Sequence, residues 1–186
     1  MLPSIAFFGT RIVTVFIMID LNDVVKDVLR MVKAEALIHA CVIKTSLDQN
    51  LQLVEGNPIE FQQVLVNLIV NSLEAMRDTP AEKRKIVIQT GQLSSREIEV
   101  SVSDRGVGLP NEIQARIFEQ FFTTKAQGLG MGLAITRSIV EAHNGRIGAE
   151  NRSNGGARFY FTLPVLATDK TRASSGSSAP TGRVEQ

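Results

Sequence analysis

At 186 residues, 44% apolar and 21% charged, the chain has the composition of one globular domain with short extensions. Twenty basic residues against nineteen acidic ones leave a net charge of +1, which excludes a global basic field for nucleic acid or an anionic membrane surface. The lone cysteine, Cys41, excludes an intrachain disulfide and a cysteine-based zinc cluster, and fits a reducing, cytoplasmic setting.

Residues 1–19 carry two apolar runs, 5–8 and 12–19, separated by Gly9, Thr10 and Arg11. A membrane span needs about 18 unbroken apolar residues, and no basic leader precedes the apolar part as in a signal peptide. The expectation is a strand or short packed segment that does not cross a membrane. Two other readings stay open: translated sequence upstream of Met18, and a surface facing a membrane or partner. Residues 167–186 are rich in Ser, Gly, Thr and Pro and should form a disordered tail. The folded unit is then residues 20–166.

Within it, Asp20 or Asn22 caps a helix expected to run to about His39, with Val24, Val25, Val28, Leu29 and Val32 as its apolar stripe. Residues 41–48 and 51–56 suggest two strands. Asn57 and Pro58 open a helix to about Arg77. Residues 86–92 and 98–104 alternate and should pair as a hairpin across 93–97. After a glycine-punctuated stretch, 105–132, a helix over 131–143 stops at Asn144 and Gly145. Strands at 146–151 and 157–164 flank a turn at 153–156. This irregular alternation predicts an α+β fold, a two-layer α/β sandwich, and not a doubly wound Rossmann sheet.

Several pieces carry chemistry. On the helix after Pro58, Val64, Leu65, Leu68, Ile69, Ser72, Leu73 and Met76 share one face, while Gln63, Asn67, Asn71 and Glu74 share another. The second stripe is either a solvated face or, because it is made of short amides flanked by Val66 and Val70, the wall of a wet pocket. There an amide oxygen can join a magnesium shell. Asp104 ends a strand ahead of Gly106 and Gly108. It is either part of a plain β-turn or a carboxylate able to accept from an exocyclic amine, as of adenine. In residues 117–125, Phe118, Phe121 and Phe122 are expected to anchor a loop on the core, with Thr123, Thr124 and Lys125 at its rim. Lys125 is either a surface lysine or a point charge for phosphate. Gly128, Gly130 and Gly132 lead into a helix whose free N-terminal amides suit an anion. No GxxxxGK[ST] is present, and these glycines do not follow the strand of a βαβ unit, so neither a P-loop nor a Rossmann fingerprint applies. Gly155 and Gly156 suffice for a hairpin turn.

The order of the pieces is specific. QQVLVNLIVNSLEAM resembles the N box, DRGVGLP the first glycine box, IFEQFFTTK the F box, GLGMGLAI the second glycine box and NGGARFYF the last glycine box of the ATP-binding catalytic domain of bacterial sensor histidine kinases. These belong to the gyrase/MutL/heat-shock-chaperone ATPase superfamily. The resemblance spans residues 20–164. It implies the Bergerat α/β sandwich, with one mixed, mostly antiparallel sheet covered on one face by helices. It also implies binding of ATP with Mg²⁺. Asn71 would ligate the metal, with Asn67 beside the phosphates, and Asp104 would read the adenine amine. Gly106 and Gly108 would let the chain pass the base. Residues 118–130 would form a lid closing with Lys125. Amides at Gly128, Gly130, Met131 and Gly132 would cradle phosphates, and Phe121, Thr124, Leu129 and Leu133 complete the implied nucleotide contacts. Superfamily members that hydrolyse ATP are similar but carry glutamate where Asn67 stands. An amide is no general base, so this site should hold ATP and deliver its γ-phosphoryl group to an outside nucleophile.

Departures accompany the resemblance. Neither His39 nor His143 has the acid-then-proline context of an acceptor histidine, so the acceptor belongs to a dimerisation domain on another chain or on a lost part of this one, with a response regulator downstream. Gln120 replaces a common proline and Glu74 a common basic residue. An ATP-dependent regulatory module without kinase activity, and an anti-sigma-type serine kinase, are the alternatives.

Overall fold

The computed structural model describes residues 17–123 and 129–165. The expectations for residues 1–16 and 167–186 lie outside the described residues. The elements are β1 (Ile17–Ile19), α1 (Leu21–Met31), α2 (Lys33–Ile38), β2 (Val42–Ser46), β3 (Val54–Gly56), α3 (Pro58–Ala75), β4 (Lys85–Ser94), β5 (Glu97–Ser103), α4 (Asn111–Gln114), α5 (Gly132–Ala142), β6 (Arg146–Asn151) and β7 (Ala157–Pro164).

The main sheet has the strand order β2-β4-β5-β7-β6. β2 runs parallel to β4, because α3 lies between them in the chain and returns it to the same end. The other three pairings are antiparallel. The sheet is therefore mixed and mostly antiparallel, as expected. Register fixes the faces: Ile88, Val102 and Phe159 lie in one row, Val100 and Phe161 in the next, and all are buried. α1, α3 and α5 lie over this apolar face. The opposite face carries Lys44, Gln89, Glu99, Arg158 and Tyr160, with Arg158 paired to Glu99 and Glu150 and its guanidinium over the Tyr160 ring.

α3 is the central helix. Asn57 Oδ1 accepts from the Ile59 N–H and Pro58 takes the first helical position, as the sequence predicts. Phe61, Val64, Leu65, Leu68, Ile69 and Leu73 are all buried. Removing each large side chain from water contributes about 1.5–3 kcal/mol, so this face anchors α3 to β4, β5, α1 and α5. Asp20 caps α1, accepting from the Asn22 N–H at 2.8 Å.

Two expectations are corrected. The helix expected from Asp20 to His39 is two helices, interrupted at Val32, whose ψ is 3°. The i→i−4 bonds Val32 N–H to Val28 O and Ala36 N–H to Val32 O persist on either side, so the apolar period runs through the break unaltered. The strand expected over 51–56 shrinks to β3, which pairs with β1 in a separate two-stranded sheet. Ile17–Ile19, the last residues of the N-terminal segment, form β1.

Candidate functional site

Asp104 follows β5 directly and is fully buried. Its Oδ1 accepts from the Gly106 N–H at 2.8 Å and the Ala157 N–H at 3.1 Å. Its backbone N–H donates to Ala157 O, and its carbonyl accepts from Arg152 at 2.6 Å. The carboxylate is thus held from both sides. Its Oδ2 is buried with no hydrogen-bond partner. A buried acceptor costs stability unless something donates to it. Burial pushes the Asp104 pKa up from 3.8, while the Gly106 and Ala157 amides, the Ser72 hydroxyl and the Arg152 charge counter it.

Two glycines make this geometry possible. A Cβ on Gly106 would stand 2.5 Å from Ala75 O and 2.8 Å from Ala75 C, both backbone atoms of α3. Gly156, at φ 82°, packs against the Asp104 carbonyl so closely that a Cβ would collide with it. The Gly155–Gly156 pair therefore does more than turn a hairpin, because it brings β7 against Asp104. Gly108, at φ 77°, lies against Asn151, whose side chain accepts from the Leu109 N–H and donates to Leu109 O, both at 2.7 Å.

Further toward the N-terminus of α3, Asn67 Nδ2 donates to Gly132 O at 3.2 Å and Thr136 Oγ1 at 3.3 Å. Asn67, Asn71 and Glu74 are half-buried, while Gln63 at the same stripe's start is exposed. A solvated face does not describe these three. The stripe faces the N-terminus of α5, whose first-turn amides have no partners within the helix. Asn71 and Ser72 lie between the Asn67 contact and the Asp104 loop. From Asn67 to Ala75 the helix rises about 12 Å, so one face of α3 links a buried acid to the open end of a second helix.

Among the described residues no group of three or more His, Cys, Asp or Glu is placed to hold a metal ion. A divalent ion held by Asn71 would need phosphate and water oxygens for the rest of its shell. A groove of about 250 Å³ lies elsewhere, lined by Gln120, Phe121, Met131, Ala134, Ile135, Ser138 and Ile139. None of Asn67, Asn71 or Asp104 lines it.

Of the residues singled out from sequence, Asn67 and Gly132 are brought into contact, and Asp104 and Gly106 are hydrogen-bonded. Gly130, at φ 66°, receives a hydrogen bond from the Phe121 N–H at 3.0 Å. Leu129 and Met131 are exposed and Leu133 packs against the core. Thr124, Lys125 and Gly128 lie outside the described residues. The expected anchoring by Phe121 is overturned: Phe118 and Phe122 pack on the core, but Phe121 is 72% exposed. Its φ of 63° turns the ring outward while its N–H ties the chain to Gly130. Sequence reasoning also missed Ser72, Thr136, Asn151 and Arg152. Ser72 and Thr136 had one visible signal, a hydroxyl at a buried position of an otherwise apolar helix face.

Neither histidine sits near this line. His143 is buried at the far end of α5, Nδ1 against Ile139 O at 2.8 Å and Nε2 accepting from the Asn57 N–H at 3.3 Å. The Glu60 carboxylate also stands 3.6 Å from Nε2. His39 meets Glu35 at 3.1 Å.

The chain matches the model of the histidine kinase-, DNA gyrase B- and HSP90-like ATPases over residues 56–167. It belongs to that family. Among curated relatives, the sensor protein FixL of Bradyrhizobium diazoefficiens is 46% identical over 123 residues, which is 66% of this chain and 24% of FixL. The sensor histidine kinase TmoS of Ectopseudomonas mendocina is 36% identical over 148 residues, 79% of this chain and 15% of TmoS. The chain thus spans a quarter or less of these two relatives. The catalytic domain of histidine kinase ThkA superposes with a TM-score of 0.71 at 34% identity, covering 81% of this chain and 95% of that domain. Among the described residues no helix is long and apolar enough to cross a membrane.

Proposed function

We propose that this domain binds Mg²⁺-ATP between α3, the Asp104 loop and the start of α5, and delivers the γ-phosphoryl group to a histidine of a dimerisation domain in two-component signalling. The carrying observation is the buried, unpartnered Asp104 Oδ2 at one end of the amide-bearing face of α3. A carboxylate oxygen fixed by two backbone amides on its sister atom is preorganised to accept from the N6 amine of adenine. The residues fit a magnesium ion in the limited sense of one amide ligand, Asn71, the ion supplying charge neutralisation of the phosphates. Asn67, already engaged as a donor, offers no general base for water. The α5 N-terminus and Lys125 are assigned to the phosphates. Gly106, Gly108 and the segment through Gly130 are assigned to the base and the closing lid.

The acceptor histidine is assigned to another domain. Both histidines of the chain sit outside this line, and His143 has both ring nitrogens engaged. One solved relative is histidine kinase ThkA in complex with response regulator protein TrrA, 32% identical to this chain. That likeness supports a response regulator as the downstream partner, and the cytoplasm is the setting proposed with it.

Titration calorimetry with ATP and GTP, with and without magnesium, tests the pocket. ATP should bind in preference to GTP, and Asn71→Ala should lose the magnesium dependence. Incubation with labelled ATP and an added histidine-bearing hairpin domain tests transfer. An acid-labile label supports histidine, and an acid-stable one would assign the domain to serine kinases. ATP binding without transfer to any hairpin would leave a regulatory module.

A further inference from the structure

β6 is an edge strand of the main sheet, and an edge presents backbone groups that no neighbouring strand pairs. Residues 109–114 run beside it without forming a strand. Two side chains make the join instead. Asn151, the last residue of β6, accepts from the Leu109 N–H and donates to Leu109 O, both at 2.7 Å. Gln114 Nε2 donates to Ala149 O at 2.8 Å. Leu109 and Ile113 pack against the core over the same stretch. The stretch leads on to the phosphate end of the proposed site. Phe118 and Phe122 pack on the core, and the Phe121 N–H donates to Gly130 O at 3.0 Å. A Cβ on Gly130 would stand 2.5 Å from the Phe121 carbonyl carbon and 2.8 Å from Phe122 O, so the backbones press together there. Gly130 lies two residues before Gly132, where α5 begins. Contacts therefore run from the free edge of β6 to the start of α5. The base end is held separately, with Asp104 bonded to the Gly106 and Ala157 amides and Gly106 set against Ala75.

We propose that Asn151 and Gln114 are positioning residues for phosphoryl transfer, which mount residues 109–122 on the free edge of β6 and so fix the backbone that packs beside the α5 N-terminus. They act through the segment they hold, not on the nucleotide itself. Transfer of a phosphoryl group depends mainly on alignment and charge placement. Loosening the mount therefore slows transfer and leaves the choice of base alone. The inference rests on the nucleotide reading above and adds to it the part of the sheet that holds the phosphate end in place.

The test compares Asn151→Ala, Gln114→Ala, Gln114→Glu and the double alanine variant with the wild-type domain. Calorimetry gives the affinities for ATP and GTP, and labelled ATP at saturation gives the rate of transfer to an added histidine-bearing hairpin domain. Asn151 is exposed and Gln114 half-buried, so each single variant should melt within about 2 °C of wild type. Each should transfer about fivefold more slowly, with the ratio of ATP to GTP affinity unchanged. Gln114→Glu keeps the shape of the side chain but has no N–H to give, so it should match Gln114→Ala. Both ties hold one segment, so the double variant should lose less than the product of the two single losses. Transfer at the wild-type rate would overturn the proposal. So would a changed ratio of ATP to GTP affinity, which would put the two residues to work at the base, and single losses that multiply, which would make the ties unrelated. A wild-type domain that ignores ATP, or binds it and transfers nothing, would instead overturn the function on which this inference rests.

Discussion

Asn67 joins the two helices that frame the phosphate end of the proposed site, so replacing it perturbs both stability and chemistry. Asn67→Ala removes two hydrogen bonds, at 3.2 and 3.3 Å, to Gly132 O and Thr136 Oγ1. Both lie at or just beyond the long edge of the usual range, so each is assigned about 0.5 kcal/mol of net stabilisation. Gly132 O is not orphaned by the change, because Thr136 Oγ1 still donates to it at 2.9 Å. The sum is about 1 kcal/mol, which should lower the melting temperature by roughly 3 °C in a domain of this size. Asn67→Glu goes further. A carboxylate has no N–H to give and sets an oxygen against the Gly132 carbonyl, so the loss should reach about 2 kcal/mol. It also places a group able to take a proton from water beside the phosphates. Circular-dichroism melts measure the first effect and phosphate release in the absence of acceptor measures the second. If Asn67→Ala melts with the wild type, the α3–α5 clasp contributes nothing. If Asn67→Glu folds, binds ATP and releases no more phosphate than wild type, the amide is not what spares ATP from water.

Burial raises the Asp104 pKa above 3.8, and a raised folded-state pKa means stability that is present at low pH and lost as pH climbs through the raised value. Asp104→Asn should therefore gain on wild type as pH rises from about 4 toward neutrality, while losing preference for ATP over GTP; parallel urea midpoints across that range would refute the burial effect. Gly106→Ala forces a Cβ to within 2.5 Å of the Ala75 carbonyl oxygen, so the loop must move and the cost should be about 1–3 kcal/mol, with weakened ATP binding by calorimetry. A variant as stable as wild type would mean that the loop gives freely. Phe121→Ser, at a side chain 72% exposed, should shift the melting temperature by less than about 2 °C, and a larger fall would restore the anchoring role that its outward ring denies.

What the sequence determined by itself is local, or is a matter of order. The caps at Asp20 and Asn57, the apolar stripe of α3 and the β4–β5 alternation each depend on neighbours a few residues away. The order of the amide helix, the acid with its glycines and the second glycine run sufficed to mark the family. The tertiary structure alone decided which readings of an ambiguous residue hold. Asn67 reaches Gly132 across 65 residues and Asp104 meets Ala157 across 53, contacts set by how helices and strands dock, which no periodicity encodes. The same docking buries Asp104 with two backbone amides on one carboxylate oxygen and turns Phe121 out to solvent. Side-chain period reports which face of an element is apolar. It cannot report which polar group on another element that face will meet, because that partner is brought near only when the layers close.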